Sequence, residues 1–251
     1  GFAIDIEKLR SSITNKTTAL IYNNYQNPLS AASSKSEMEE LANIAIENNL
    51  WVLSDDAYYE IRYTDQPPLS IVNLPGMKER TVILYTFSKR FAMTGWRVGA
   101  SIGPKKIIEQ IARFNINDES CTNHFIQHAL AETLEDSDSN SALILNELKK
   151  RRDLCLDILN SIDGISLPKP ESTFYLFLNV TKIMSDKGYE NLDEFRIEAL
   201  KATGVSFCTR HHFGTSLKEE TKKYIRLAYS GIDQNDIHLG LNRFKNWIRG
   251  E

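Results

Sequence analysis

Thr86–Gly99 (TFSKRFAMTGWRVG) is the stretch on which the reading turns. It follows a short apolar run, Val82–Thr86 (VILYT), which predicts a buried strand. A lysine three residues beyond a buried strand is unusual, because a desolvated ammonium is costly unless it is used. Lys89 in such a place can act as a nucleophilic amine toward a carbonyl. Thr86 and Ser88 supply hydroxyls beside it, and Arg97 supplies a guanidinium eight residues on; that set suits a phosphate. The plain alternative is a solvent-facing lysine at a strand end.

Working outward, the same strand-then-polar pattern recurs upstream. Thr18–Asn23 (TALIYN) and Trp51–Ser54 (WVLS) predict strands, and Val98–Ile102 a further one. Between the first two, Ser36 and Glu39 fit a capping box opening a helix to Asn49, with Met38, Leu41, Ala42 and Ala45 on one face. Apolar strands alternating with helices imply a parallel sheet covered on both faces. Two of these strands end in chemistry: Asp55-Asp56-Ala57-Tyr58 after one, and Asn24-Tyr25-Gln26-Asn27-Pro28 after the other. Open α/β sheets place ligands at the carboxyl ends of their strands. Taken singly, these residues also read as an N-cap and a turn.

Beyond Gly103 the pattern changes. Helices are predicted at Pro104–Arg113, Cys121–Leu134 and Ser139–Ile162, the last with a basic stripe (Lys149, Lys150, Arg151, Arg152) expected on a solvated face. Strands at Phe174–Val180, Val205–Cys208 and Tyr224–Tyr229, with helices at Leu192–Thr203 and Asp233–Arg249, make a second, α+β unit. The long helix is the expected connection. Domains are expected at residues 1–145 and 146–251.

Composition bounds the function. The 251 residues carry 30 Lys and Arg against 33 Asp and Glu, a formal net charge of −3, with 41% apolar residues. No basic excess points to nucleic acid, and no apolar run reaches the roughly 18 residues of a membrane span. Three dispersed cysteines (Cys121, Cys155, Cys208) form neither a disulfide framework nor a zinc pattern, so a cytoplasmic setting is expected. His124 and His128 share a helix face but lack a third ligand, and adjacent side chains at His211-His212 point apart, so no metal is expected. The His pair could border a substrate entrance.

A lysine, acids, an amide and a phenol at successive strand ends resemble one family: the fold-type I pyridoxal-phosphate enzymes of the aminotransferase class I/II group. The resemblance runs through nearly the whole chain and is most specific over Ser88–Gly99. It implies a doubly wound, mostly parallel α/β large domain, here partial, with a smaller α+β C-terminal domain. It implies that Lys89 holds pyridoxal 5′-phosphate as a Schiff base and shuttles the substrate α-proton. Asp55 would pair with the pyridine nitrogen, with Asp56 as the neighbouring acid. Tyr58 and Asn27 would bond the ring oxygen, and Thr86, Ser88 and Arg97 would hold the phosphate. Arg226, in Tyr224–Tyr229 (YIRLAY), would grip the substrate α-carboxylate with two parallel bonds. The implied activity is transfer of an α-amino group from an amino acid to a 2-oxo acid by a homodimer. A carbon–sulfur lyase and a non-catalytic regulatory domain are the alternatives.

The chain departs from the family's Asn-Pro-x-Asn-Pro-Thr-Gly turn: Tyr25, Leu29 and Ser30 stand for its Pro, Thr and Gly. Ser172 stands where the family usually has Gly, and its segment (Pro170–Tyr175) reads as structural. Gly1–Arg10 (GFAIDIEKLR) reads as the middle of a domain. About the first third of a full-length relative, with a Gly/Ser-rich phosphate loop and a ring-stacking aromatic, has no counterpart. Exposed apolar surface is therefore expected, and with it weak cofactor binding or aggregation of the chain by itself.

Overall fold

A computed structural model describes residues 2–64, 66–135 and 137–251; Gly1 lies outside them. The chain divides into two compact units: residues 2–26 with 31–144, and residues 27–30 with 145–251. The division falls within one helix, and Asn27–Ser30 goes with the second unit.

In the first unit, helix α1 (Ile6–Ser12) starts at Asp5, whose carboxylate accepts the Lys8 N–H. Strands β1 (Ala19–Tyr22), β2 (Trp51–Asp55) and β3 (Thr81–Thr86) are parallel neighbours. Helix α2 (Lys35–Glu47) opens two residues before the expected box. Ser34 accepts from the Glu37 N–H, and the Glu37 carboxylate accepts from the Ser34 N–H, so Ser36 already lies inside the helix. Met38, Leu41, Ala42 and Ala45 are buried with Tyr22, Leu50, Val52, Ile71 and Met77 in one core.

After β3 the chain makes the single helical turn α3 (Phe87–Arg90) and returns as β4 (Gly99–Ile102). The pairing of β4 with β3 is antiparallel, where sequence implied a parallel sheet. The return over residues 87–98 forms only single turns and no helix that could carry the chain across to a parallel strand. Gly99 makes it possible: a Cβ there would lie 2.6 Å from the Tyr85 carbonyl oxygen. Helices α4 (Lys105–Asp118), α5 (His124–Glu135) and α6 (Ser137–Leu159) follow. One face of the sheet is open: Ile21 is 80% exposed, and Leu84, which the register sets on the same face, is exposed too.

In the second unit, β5 (Tyr175–Asn179), β6 (Cys208–Thr209) and β7 (Tyr224–Ala228) form an antiparallel sheet ordered β5-β7-β6. Helices α7 (Thr181–Asp186), α8 (Leu192–Thr203) and α9 (Gln234–Arg249) complete it. The predicted strand Val205–Cys208 pairs only over Cys208 and Thr209. Phe195, Phe207, Phe244 and Trp247 pack ring on ring. The basic stripe is only partly solvated: Arg152 is 6% exposed, its guanidinium bonded to Asp153, while Arg151 bonds Glu147 and the Ser230 carbonyl. Among the described residues no helix is long and apolar enough to cross a membrane.

Candidate active site

The first unit gathers the lysine, one acid and one phenol at the carboxyl edge of its parallel strands. β2 ends at Asp55, in register with Leu84 of β3. The two neighbouring acids are treated differently. Asp56 is 4% exposed and accepts from the Ser54 and Ser70 hydroxyls at 2.8 and 3.1 Å. Burial pushes its carboxyl above the ordinary range, with the Asp55 charge adding to the shift. Asp55 is half-buried and accepts at one oxygen from the Ala57 N–H. Asp56 is thus spent on structure, and Asp55 keeps an open carboxylate edge.

Lys89 sits in α3, whose N-cap Thr86 accepts the Ser88 N–H at 3.2 Å. The Lys89 Nζ lies 5.8 Å from the centre of the Tyr58 ring. The Thr86 hydroxyl donates to the Val98 carbonyl. Ser88 is buried, and Arg97 is exposed, left-handed (φ 54°) and bonded through Nη1 to the Thr94 carbonyl. Side chains of this phosphate-type set therefore cap and brace the Lys89 turn.

The asparagine turn is anchored from both ends. Upstream, Asn24 is buried, accepts from Ser33 and donates to the Leu69 carbonyl; the Tyr25 hydroxyl exchanges bonds with the Leu69 backbone. Tyr25 therefore ties down the turn where the family's proline would stiffen it. Ser30 takes the left-handed conformation (φ 55°) that favours the family's glycine. Its hydroxyl compensates, lying 2.6 Å from the Thr173 hydroxyl and bonding the Tyr175 carbonyl.

In the second unit this turn meets Arg226. The Arg226 Nη1 donates to Asn27 Oδ1 at 2.6 Å across 199 residues of sequence, and Nη2 lies 3.7 Å from Cys208 Sγ. Its guanidinium is sandwiched by the Tyr175 and Phe213 rings, 4.1 and 4.8 Å to their centres. Sequence reading missed both rings and Cys208; the strand register, which sets Cys208 opposite Arg226, is what reveals them. His212 accepts from the Thr209 N–H, and His211 lies 3.5 Å from Asp193. Burial alone would raise the Asp193 carboxyl, but bonds from Thr209 and His211 hold it below the ordinary range. His124 and His128 pack edge to face, and among the described residues no group of three His, Cys, Asp or Glu is placed to hold a metal.

A mostly parallel sheet with a lysine turn and an acid at its strand ends in one unit, and an arginine packed between aromatic rings in the other, define a class of protein. The model of the class I and II aminotransferases matches residues 1–244, and the chain belongs to that family. It is 34% identical over 232 residues to an aromatic-amino-acid aminotransferase of Thermococcus litoralis, covering 91% of this chain and 57% of that protein. It is 35% identical over 231 residues to an aspartate aminotransferase of Pyrococcus abyssi, with the same shares covered. An asparagine–oxo-acid transaminase of Streptococcus mutans is 30% identical over 249 residues, 98% of this chain and 61% of that protein. The crystal structure of an aromatic aminotransferase from Pyrococcus horikoshii superposes with a TM-score of 0.90 at 32% identity, covering 99% of this chain and 64% of that one. The chain thus spans about three fifths of the length of these relatives.

Proposed function

We propose that the whole protein is a pyridoxal-phosphate-dependent aminotransferase, exchanging the α-amino group of an amino acid with a 2-oxo acid. The observation that carries this is Lys89 on the turn after β3 with its amine over the Tyr58 ring, while Asp55 ends the neighbouring strand. The donor set fits the cofactor. It offers a primary amine for an aldehyde, an open carboxylate for a ring nitrogen, a phenol (Tyr58) and an amide (Asn27) for a ring oxygen, and Thr86 with Arg97 for a phosphate. Ser88, being buried, fits the phosphate role least well. When bound, the cofactor supplies an electron sink for the pair left when an α-proton departs.

The protein's own part is positioning and proton handling. Arg226 would bind the substrate α-carboxylate through paired N–H donors. The Tyr175 and Phe213 rings set the plane of that guanidinium, and Asn27 and Cys208 hold one edge of it. The Lys89 Nζ would take the α-proton and return it to the other carbon of the exchange. Asp55, ionised, would keep the ring nitrogen protonated. The assignment extends to a cytoplasmic homodimer: the open sheet face is in keeping with burial against further polypeptide, and three free thiols suit a reducing compartment.

The test is amino transfer by the whole protein, with borohydride fixation of the cofactor mapped by peptide mass. Fixation at Lys89, with equal yields of keto acid and new amino acid, is expected. Lys89→Ala should cost at least about 10³-fold in rate. Release of ammonia in place of a new amino acid moves the reading to elimination; fixation elsewhere overturns it.

A further inference from the structure

One side-chain cluster beside Lys89 has no part in the chemistry above. The Glu60 Oε1 accepts from the Tyr85 hydroxyl at 3.0 Å and from Arg90 Nη1 at 3.1 Å. The side chains of Arg90 and Glu60 are 14% and 22% exposed, so this is a largely desolvated pair, unlike the chain's surface ion pairs such as Lys35–Glu39. Burial raises the Glu60 carboxyl above its ordinary range even though Tyr85 and Arg90 both favour its charge. Arg90 also lies over the Phe91 ring, and Tyr85 packs edge to face on Phe87.

The position of the pair in sequence gives it meaning. Arg90 is the residue after Lys89, on the same helical turn. Glu60 is two residues after Tyr58, on the turn over residues 57–60 that follows β2. Tyr85 lies in β3, the strand that leads into the lysine turn. One ion pair therefore joins the two short turns that carry the lysine and the phenol. Each turn also has backbone bonds of its own, among them Tyr59 N–H to the Asp56 carbonyl, Ile61 N–H to the Tyr58 carbonyl and Phe91 N–H to the Phe87 carbonyl, but these stay within one turn.

We propose that Glu60 and Arg90, with Tyr85 as third member, are positioning residues: a latch that holds the Lys89 turn against the Tyr58 turn and so fixes where the lysine amine stands. This rests on Lys89 being the cofactor lysine. The pair is not among the groups assigned above to cofactor or substrate. It acts through the backbone of the two residues that do the work. Because both charges are desolvated, removing one leaves the other uncompensated, whereas removing both relieves that cost.

The experiment compares Glu60→Gln, Arg90→Gln and the double variant in the whole protein. In the cofactor-free state, hydrogen exchange at the Tyr59, Ile61 and Phe91 amides should rise in each single variant while the melting temperature of the second unit stays unchanged. With cofactor added, fixation at Lys89 by borohydride should slow by up to about 10²-fold, the scale of an ångström-sized misplacement. The double variant should recover a large part of both losses, and Arg90→Lys, which restores the charge without the fork, should recover part. Unchanged exchange in both single variants overturns the latch, whether or not fixation slows. If the wild type itself does not fix cofactor at Lys89, the function proposed above fails instead, and the exchange comparison still decides the latch. Should a charge variant not fold, Tyr85→Phe removes one donor from the same oxygen and leaves both charges; a small exchange increase at the same amides supports the latch, and none overturns it.

Discussion

The two units bury their apolar residues to different degrees. In the second, Leu178, Val180, Phe195, Ala199, Ile225 and Phe244 are entirely shielded. The first has a tight core under α2, yet leaves Ile21, Leu84, Ile102, Phe114, Ile116 and Phe125 exposed. The cause is geometric: successive strand residues face opposite ways, so a sheet needs a layer on each side. Tyr22 finds α2, while Ile21, next to it, faces the open side. The second unit exposes large apolar residues only outside its strands (Ile197, Leu200, Leu217, Ile232, Leu239), whereas the first exposes them on the sheet itself.

The sharpest test of that contrast is Phe244→Ala. Phe244 is fully buried and packs on Phe207 and Trp247. The truncation should cost the second unit about 3–5 kcal/mol, read by urea unfolding with Trp51 and Trp96 replaced by Phe so that Trp247 reports alone. A loss well below that range would mean that the second unit is looser than its packing implies.

Carboxyls in the molecule are shifted in opposite senses, with Glu37 in the first unit lowered like Asp193 in the second. Asp56 and Glu60 in the first have raised carboxyl values. A raised acid contributes stability that is fully present below its unfolded value, near 3.8 for Asp56, and is lost as pH rises through the folded value. Asp193 in the second unit is lowered, so its contribution is present at neutral pH and lost as pH falls below that same range. Asp56→Asn should therefore flatten the decline in first-unit stability as pH rises above about 4 and leave the second unit's pH dependence as it was. Fluorescence of Trp51, with Trp96 and Trp247 replaced, measures it; an unchanged slope would show that Asp56 does not titrate in the folded protein.

The smallest effect belongs to the open surface. Phe114 on α4 is 76% exposed, so Phe114→Glu should change stability by no more than about 0.5 kcal/mol. It should lower concentration-dependent self-association of the chain, followed by sedimentation velocity. A large loss of stability would show that α4 is packed more closely than its exposure indicates.

Local pattern alone was enough to read β1, β2, β3, α2, α8 and the Lys89 turn, because each is written in periodicity or capping within a dozen residues. Pattern alone did not separate Asp55 from Asp56; the structure turns Asp56 inward onto Ser54 and Ser70. The helix α1 was missed because its seven residues bury none of their own side chains, leaving only the Asp5 cap as a sign.

What tertiary structure alone decided is which distant residues meet. No spacing rule brings Arg226 to Asn27, seats Ser30 against Thr173 and Tyr175, lays the Tyr175 and Phe213 rings on a guanidinium, or turns Arg152 inward. The direction of β4 and the Glu60–Arg90–Tyr85 cluster belong to the same set. Periodicity determines which face of an element is apolar; the path of the chain determines what that face and its polar neighbours touch. By itself the sequence therefore pointed to candidate groups at strand ends, and the fold decided which residues pack and bond around them.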